Sequence, residues 1–220
     1  MAKTAIIIGA TGLTGNILLK RLLDDKRYQS VKLFSRRSCQ IKDSKIEEHL
    51  VDVLDIETYE DLFNADEVYC CIGSTKSKTP NEELYLNIDY GVPVALANLC
   101  VKKGIHTFMV ISALGASKKS KLFYNRMKGR MEEDVFRRKI KKLYILQPSL
   151  IGGTRIEKRA GEKLAKVFMK ILSPIFIGPL KKYRTIHPQT IVNAMLWLAN
   201  NKYESGRIPS NEIQKISNNS

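Results

Sequence analysis

The sequence has few residues of the kinds that bind metals or form disulfides. It contains four cysteines and three histidines, and no two cysteines have the C-x-x-C spacing of zinc and redox sites. The histidines are far apart in the chain and also lack the spacing of metal ligands. We therefore predict no metal site, and we expect reduced thiols in a cytoplasmic protein.

Long apolar runs are missing as well. No stretch approaches the ~20 apolar residues that a membrane span needs, and the short run at residues 5–8 ends at Gly9. We predict a soluble protein with neither a signal peptide nor a transmembrane helix. With 220 residues and 44% hydrophobic content, the chain can bury one substantial core. We expect one domain over residues 1–220, within which residues 151–213 form a small region on the substrate side.

Acidic residues are scarce relative to basic ones. Asp and Glu number 22 against 37 Lys and Arg, and the resulting net charge of +15 favours anionic ligands. Residues 117–142 hold eleven basic residues and three acids. The aromatics nearby, Phe123, Tyr124 and Phe136, fit a core-facing helix better than an exposed stacking surface. We therefore predict that this charge serves anionic small molecules and solubility, and that no specific nucleic acid binds.

The apolar pattern alternates between strands and helices along most of the chain. This alternation predicts a doubly wound parallel sheet, a Rossmann-type α/β fold. We also expect an apolar loop at residues 174–179 and a frayed polar end at 214–220. The predicted strands are residues 4–8, 31–34, 49–53, 68–72, 107–111 and 143–146, and the predicted helices are residues 13–25, 57–63, 84–103 with an irregularity at Pro93, 123–138, 164–172 and 188–200.

A glycine-rich turn joins the first predicted strand to the first helix. Its sequence is Gly9-Ala-Thr-Gly-Leu-Thr-Gly15. Glycines at such a junction let the backbone approach a pyrophosphate without a Cβ in the way. The helix N-terminus also offers free N–H groups and a partial positive charge. The position of this turn predicts a dinucleotide-binding site.

The end of the second strand bears on the choice of dinucleotide. NAD-selective sites present an acid to the ribose 2′-hydroxyl, about 20 residues beyond the glycines. This chain presents Ser35-Arg36-Arg37 there, and a guanidinium can pair with a 2′-phosphate. We therefore predict NADP(H), although two arginines also suit a solvated face in so basic a protein.

A tyrosine and a lysine four residues apart suggest an acid–base pair. Tyr124 and Lys128 share one face of a predicted helix, and we expect the lysine charge to lower the tyrosine pKa from ~10 toward working pH. Such a tyrosine can exchange a proton with a carbonyl or an alcohol. Ser112 closes the fifth strand, where its hydroxyl can hold the substrate oxygen. Tyr28 and Lys32 have the same spacing but lie at the entry to the second strand.

Taken together, these stretches resemble the short-chain dehydrogenase/reductase superfamily in its atypical branch, and within that branch the Tat-interacting oxidoreductase-like proteins. The resemblance extends over the whole chain, and several of the matching stretches are specific to the branch. They are Gly9 to Gly15, Ser35 to Arg37, Val51 to Val53, Cys70 to Thr75, Ile111 to Ser117 leading into Tyr124 and Lys128, and Pro148 to Glu162 with Arg155, Arg159 and Gly161.

The resemblance also implies roles for individual residues. Ser112, Tyr124 and Lys128 are the implied catalytic set. The glycine turn is implied to hold the pyrophosphate, the two arginines the 2′-phosphate, and the segments after the third and fourth strands the adenine and ribose. The implied cofactor-binding residues are Gly9, Thr11, Gly12, Leu13, Thr14, Gly15, Arg36, Arg37, Asp52, Val53, Cys71, Ile72, Gly73, Ser74, Thr75, Tyr124, Lys128 and Pro148.

Three functions are compatible with these features. The first is an NADP(H)-dependent oxidoreductase that acts on a small carbonyl or alcohol by hydride transfer. The second is an NADPH-binding regulator or scaffold with little turnover. The third is a relative of the nucleotide-sugar epimerases with the same fold. The oligomeric state stays open, and a homodimer or a protein partner is compatible with each function.

Overall fold

The computed structural model describes residues 2–74, 79–152 and 184–219. These residues form a seven-stranded sheet in which every pair of neighbouring strands is parallel. The strands are β1 (Lys3–Ile8), β2 (Tyr28–Ser35), β3 (Ile46–Leu50), β4 (Glu67–Cys70), β5 (Thr107–Ile111), β6 (Lys142–Gln147) and β7 (Gly206–Pro209). Their order across the sheet is β3-β2-β1-β4-β5-β6-β7, which confirms the predicted Rossmann-type α/β fold.

Helices cover both faces of the sheet. In the described ranges they are α1 (Leu13–Asp24), α2 (Glu82–Leu86), α3 (Val92–Lys102), α4 (Phe123–Phe136), α5 (Pro188–Asn200) and α6 (Ser210–Ser217), with a π-helical turn at Asn87–Gly91 between α2 and α3. One layer of the core contains α1, α5 and α6, and the other contains α3 and α4. Successive residues of β1 enter opposite layers: Ala5 and Ile7 pack into the first, and Ile6 and Ile8 into the second. A strand buried on both faces is therefore apolar at every position.

Strand order reverses between β1 and β4, and this reversal positions the site. β1 is followed by α1 on one side of the sheet, whereas β4 leads to the helices of the other side. The connections diverge at the carboxyl ends of these two strands and leave a crevice between them, which is where ligands bind in open parallel sheets. The glycine turn follows β1 directly, and residues 71–74 follow β4.

Several predicted elements need correction. β3 ends at Leu50 instead of extending to residue 53, because residues 51–53 leave the sheet and the Val53 carbonyl accepts a hydrogen bond from Tyr59. The predicted helix at 57–63 is two 3-10 turns, Ile56–Thr58 and Glu60–Leu62, which direct Tyr59 and Phe63 onto Phe34.

The frayed end predicted for residues 214–220 is wrong over most of its length. β7 and α6 follow α5, and α6 extends to Ser217. It is amphipathic, because Ile213 and Ile216 are buried against the core while Lys215 faces solvent. The predicted helix at 164–172 and the predicted loop at 174–179 lie outside the described residues, as does much of the region 151–213.

One helical stretch in the described ranges, Glu82–Lys102, is long and apolar enough to span a membrane by length and composition alone. Half of it is buried inside the fold. It includes the π-helical turn, and α3 contributes Val92, Leu96 and Cys100 to the core beneath the sheet. Its apolar composition is therefore that of a core helix.

Gly129 fixes how closely α4 approaches the segment before it. A Cβ at this position would overlap the backbone of Ser117 and Lys118. We predict that Gly129→Ala lowers the free energy of unfolding by about 1–3 kcal/mol, because the helix must shift to make room. Gly91→Ala is the matched control, since its Cβ would come no closer than 3.9 Å to Asn87. Equal denaturant midpoints for the two variants would contradict this packing constraint.

Candidate active site

The glycine turn brings three backbone segments into contact. Gly9 has φ +92°, and a Cβ there would lie 2.9 Å from the backbone of Cys71 and Ile72. A Cβ on Gly15 would overlap the Gly9 carbonyl. Only glycine fits either position, because the first needs a left-handed backbone and the second brings α1 directly against the turn. The turn thus forms a cradle that a side chain would fill.

The start of α1 supplies the donors of this cradle. The Gly12 N–H donates to the Gly9 carbonyl at 2.9 Å, and the Asn16 N–H begins the helical ladder on the Gly12 carbonyl at 3.0 Å. The N–H groups of Leu13, Thr14 and Gly15 lie in the first turn, where a helix provides no acceptor. Among the described residues no side chain caps this end. Three amides and the positive end of the helix therefore meet the crevice, and this donor set fits a pyrophosphate.

Two connected cavities lie along the crevice. The first has a volume of about 350 Å³ and runs over the glycine turn toward β2 and β3. The second, of about 270 Å³, runs toward β5 and α4. Both contain Gly12 and residues 71–74, which form the floor where the cavities meet. The first cavity is lined by Gly9, Thr11, Arg36, Arg37, Asp52, Val53 and Thr79, among others, and the second by Leu13, Thr14, Asp89, Ser112, Tyr124, Lys128 and Ile151.

Arg36 and Arg37 stand at the far end of the first cavity. Both are exposed, and neither forms an ion pair with a carboxylate of the described chain. Ser35 donates from its hydroxyl to the Arg37 carbonyl at 2.7 Å and fixes the turn after β2. The two guanidinium groups are consequently free to meet an anion at this end.

Most of the described residues of the predicted site line one cavity or the other, but Gly15 and Pro148 do not. Gly15 packs beneath the glycine turn against Gly9. Pro148 is buried after β6, where its carbonyl accepts a hydrogen bond from Leu114. Of the predicted cofactor residues, these two line neither cavity, and Thr75 lies outside the described residues.

Lys128 is held by an aspartate that the sequence analysis did not single out. Its ammonium lies 2.9 Å from an Asp89 carboxylate oxygen, and both side chains are buried. The other carboxylate oxygen accepts the Ser74 N–H at 2.7 Å. Asp89 therefore connects the lysine to the segment that follows β4. The sequence did offer a signal for Asp89, which is an acid within a largely apolar stretch of a predicted helix. A carboxylate buried in such a helix needs a cationic or hydrogen-bonding partner.

The ion pair changes the expectation for Tyr124. Burial raises the pKa of Tyr124, the Lys128 charge lowers it and the Asp89 charge raises it, so that the pKa stands above its ordinary value. Our expectation of a lowered pKa is wrong for this structure, because desolvation of the phenol raises its pKa by more than the lysine charge lowers it, and the Asp89 charge raises it further. Burial alone lowers the pKa of Lys128, but Asp89 more than compensates and the pKa is raised. At neutral pH the lysine is charged and the phenol keeps its proton.

Ser112 is also held by a buried acid. Its hydroxyl donates to Glu132 at 2.5 Å, and Glu132 lies on α4 one turn beyond Lys128. Glu132 further accepts hydrogen bonds from Gln147 at 2.9 and 3.0 Å and from Arg207 of β7 at 2.8 Å. This network joins α4 to β5, β6 and β7 at the edge of the second cavity.

The second tyrosine–lysine pair has a structural role. The Tyr28 hydroxyl donates to the buried Glu67 at 2.7 Å, and Glu67 also accepts from Tyr69 at 2.6 Å and from Lys3 at 2.7 Å. Lys32 donates instead to Leu62 and Asn64 at the surface. The Tyr28 cluster lies near the amino ends of β1, β2 and β4, away from both cavities.

A larger groove of about 520 Å³ lies between α1 and α5. It is lined by Arg21, Asp25, Arg27 and Trp197, among others. Arg27 pairs with Asp25 there at 2.6 Å, and Arg21 donates to Asn193 at 3.3 Å. The predicted catalytic residues Ser112, Tyr124 and Lys128 line the smaller second cavity instead.

The basic segment 117–142 is partly neutralised within α4 and the turn before it. Lys118 pairs with Glu133 at 2.9 Å and Arg137 with Asp134 at 3.0 Å, while Lys128 is buried. Two of the three aromatics depart from the expected core position: Tyr124 is 37% exposed, and Phe136 is 47% exposed with the Arg207 guanidinium 5.3 Å above its ring. Among the described residues no group of three or more His, Cys, Asp or Glu side chains could hold a metal ion.

Comparison with known proteins agrees with this geometry. Residues 9–151 match the family model described as NAD(P)H-binding, a stretch that contains the glycine turn and both cavities. The chain belongs to this NAD(P)H-binding family. Its sheet also superposes on that of the Bordetella bronchiseptica enzyme WbmG in complex with NAD, with a TM-score of 0.70 at 11% identity over 94% of this chain and 72% of WbmG. This likeness shows the shared fold.

Two relatives of the NAD(P)H-binding family confirm the resemblance to the atypical short-chain dehydrogenase/reductase branch. The rat protein HTATIP2 is 29% identical over 198 residues, which are 88% of this chain and 80% of the relative. The mitochondrial protein FMP52 of Meyerozyma guilliermondii is 32% identical over 183 residues, 80% of this chain and 78% of the relative. The expected cytoplasmic location is wrong, because FMP52 proteins from several yeasts are named as mitochondrial.

The Lys128–Asp89 pair yields a stability prediction. Asp89→Asn leaves a buried ammonium without its counter-charge, and we expect the free energy of unfolding to fall by about 3–5 kcal/mol. The double variant Asp89→Asn, Lys128→Met removes both charges and is expected to recover most of this loss. Glu133→Gln is the matched control, because its partner Lys118 is half exposed and the pair contributes at most about 1 kcal/mol.

The same pair predicts a pH dependence. In the wild type the raised pKa of Lys128 adds stability below the unfolded value of ~10.4, and this stability is lost as the pH rises through the folded pKa. In Asp89→Asn the counter-charge is missing, so burial lowers the pKa of Lys128 in the folded state. The free energy of unfolding that this variant has lost relative to wild type therefore becomes smaller as the pH rises. Denaturant titrations between pH 6 and 9 measure this difference. A deficit that is constant over the range would contradict the buried, charged lysine.

Proposed function

We propose that the protein is an NADP(H)-dependent oxidoreductase of a small carbonyl or alcohol. The observation that supports this proposal best is the second cavity, because a protonated phenol, a charged lysine and a serine hydroxyl line it together. This cavity continues into the one over the glycine turn, so a dinucleotide along the crevice reaches both. Following the FMP52 relatives, we also propose a mitochondrial location.

In this proposal, the residues of the first cavity hold the cofactor. The first-turn amides of α1 bind the pyrophosphate, Arg36 and Arg37 bind the 2′-phosphate, and Asp52 and Val53 border the adenine. Residues 71–74 line the ribose side. When bound, the nicotinamide supplies a hydride to a carbonyl carbon or accepts one from an alcohol carbon.

The residues of the second cavity handle the proton. Tyr124 donates its phenolic proton to the substrate oxygen in reduction and takes it back in oxidation. Lys128 stabilises the phenolate that reduction leaves behind, and Asp89 holds Lys128 charged and in place. Ser112 contacts the substrate beside the reacting carbon. Because the pKa of Tyr124 is raised, the resting site is prepared for reduction, and we expect alcohol oxidation to become faster as the pH rises.

Cofactor preference tests the role of the two arginines. We expect calorimetric titration to give tighter binding of NADPH than of NADH, because each charge-assisted contact to a phosphate contributes about 1.5–3 kcal/mol. Arg36→Ala and Arg37→Ala should each weaken NADPH binding by about tenfold or more and leave NADH binding unchanged. Arg130→Ala, at an exposed position of α4 that lines neither cavity, is the control. Equal affinities of the wild type for both cofactors would refute the assignment.

Tyr124→Phe tests the proton donor. We expect at least a hundredfold loss of carbonyl-dependent NADPH consumption with NADPH affinity within about threefold of wild type, because only the transferable proton is removed. Tyr90→Phe is the matched control: its hydroxyl donates to Asp134 at 2.9 Å and lines neither cavity. If no carbonyl compound is consumed by the wild type while NADPH binds tightly, the protein is an NADPH-binding regulator.

A further inference from the structure

The hydrogen bonds around Glu132 determine what Ser112 can offer a ligand. Glu132 is buried, with 1% of its surface exposed. One carboxylate oxygen accepts from Ser112 at 2.5 Å and from Gln147 at 2.9 Å, and the other accepts from Gln147 at 3.0 Å and from Arg207 at 2.8 Å. The Gln147 amide and the Arg207 guanidinium can only donate in these contacts. Glu132 accepts in each of these contacts and forms an ion pair with Arg207.

Ser112 must be the donor in its contact with Glu132. A hydroxyl has one proton and an ionised carboxylate has none, so the proton lies between Ser112 and Glu132. The backbone of Ser112 is fixed as well, because its N–H donates to the Leu146 carbonyl at 2.7 Å. Ser112 lines the second cavity. Because its proton is committed to Glu132, its hydroxyl can only accept a hydrogen bond from a ligand there.

An acceptor at Ser112 does not match a plain ketone, whose carbonyl oxygen needs a hydrogen-bond donor. A carbonyl oxygen is itself only an acceptor, so it can take a hydrogen bond from Tyr124 but none from Ser112 in this arrangement. A hydroxyl on the neighbouring carbon can donate to Ser112 while the carbonyl faces Tyr124. Such a ligand satisfies both side chains, and it leaves the Glu132 network intact.

We propose that Glu132 fixes Ser112 as a hydrogen-bond acceptor and that the substrate is an α-hydroxy carbonyl compound, with the hydroxyl on Ser112 and the carbonyl oxygen on Tyr124. This inference rests on the proposed oxidoreductase function and names its substrate class. In reduction the carbonyl carbon gains a hydride from NADPH, the carbonyl oxygen gains the Tyr124 proton, and the products are a vicinal diol and NADP⁺. Solvent then returns a proton to Tyr124. Glu132 is a positioning residue, and Arg207 is its ion-pair partner.

A matched pair of ketones tests the substrate class. NADPH consumption is measured with 3-hydroxybutan-2-one and with butan-2-one, which lacks only the hydroxyl. We expect kcat/KM to be at least about tenfold higher for the hydroxy ketone, because a site built to bind a hydroxyl rejects the analogue without it. Ser112→Ala should bring the ratio of the two values close to one.

Glu132→Gln separates positioning from mere stability. The amide can turn its NH₂ group toward Ser112 and release the serine proton for a carbonyl. The ratio of kcat/KM for the hydroxy ketone to kcat/KM for butan-2-one should fall by at least about fivefold, chiefly because kcat/KM for the hydroxy ketone falls. Glu133→Gln, on the same helix but exposed, should keep the wild-type ratio. Because the ratio is measured within one variant, reduced folding of that variant does not alter it.

Binding gives a second measurement that does not depend on turnover. Butane-2,3-diol and butan-2-ol are titrated by calorimetry into the NADP⁺-saturated Tyr124→Phe variant, which cannot accept the alcohol proton. We expect the diol to bind at least about tenfold more tightly in Tyr124→Phe but not in the double variant Tyr124→Phe, Ser112→Ala. Tyr124-dependent turnover with equal kcat/KM for both ketones would overturn this inference and leave the proposed function in place. Diol preference without any turnover would support the inference and reject hydride transfer. Equal binding of both alcohols without turnover would overturn both.

Discussion

The burial of a charged lysine at the carboxyl edge of the sheet is the constraint on which the site depends. The Lys128 ammonium needs a counter-charge, which Asp89 provides, and further acceptors, which are the backbone carbonyls of Asp89 and Ile111 at 3.5 and 3.4 Å. Pro93 has no N–H to donate to the Asp89 carbonyl four residues earlier, so that oxygen can serve the lysine. A single ammonium thus joins α4, the π-helical turn and β5 around one cavity.

The two ends of the crevice differ in their electrostatics. Around the second cavity the charges are paired: Lys128 with Asp89, both buried, and the half-exposed Arg207 with the buried Glu132. At the far end of the first cavity, Arg36 is exposed without such a partner among the described residues. A ligand with phosphates at one end and a neutral reacting group at the other matches this arrangement. The glycine cradle lies between the two ends, where the α1 amides meet the crevice.

Local sequence patterns were enough to predict those parts of the site that depend on residues close together in the chain. The glycine turn after β1, the arginines after β2 and the four-residue spacing of Tyr124 and Lys128 were all predicted. Asp89 and Glu132 were not, because their partners lie 39 and 20 residues away in the sequence. The raised pKa of Tyr124 was missed for the same reason, because the desolvation of the phenol and the Asp89 charge that raise it both depend on tertiary packing.

The fold shows the same division between local and distant information. β1 and β5 were predicted well because strands buried on both faces are apolar throughout. The half-exposed edge strand β3 was placed three residues late, and β7 and α6 were missed because their short, polar sequences form structure only against α5 and β6.

The most direct test of the central claim follows the hydride itself. The protein is incubated with 3-hydroxybutan-2-one and with NADPH that carries deuterium at one or the other position of the nicotinamide C4, and the product is analysed by mass spectrometry. We predict butane-2,3-diol that contains a single deuterium from only one of the two labelled cofactors, since a fixed cavity beside the nicotinamide exposes one face to the substrate. Formation of the diol without deuterium from either cofactor, or no diol at all while NADPH binds, would contradict a hydride-transfer site.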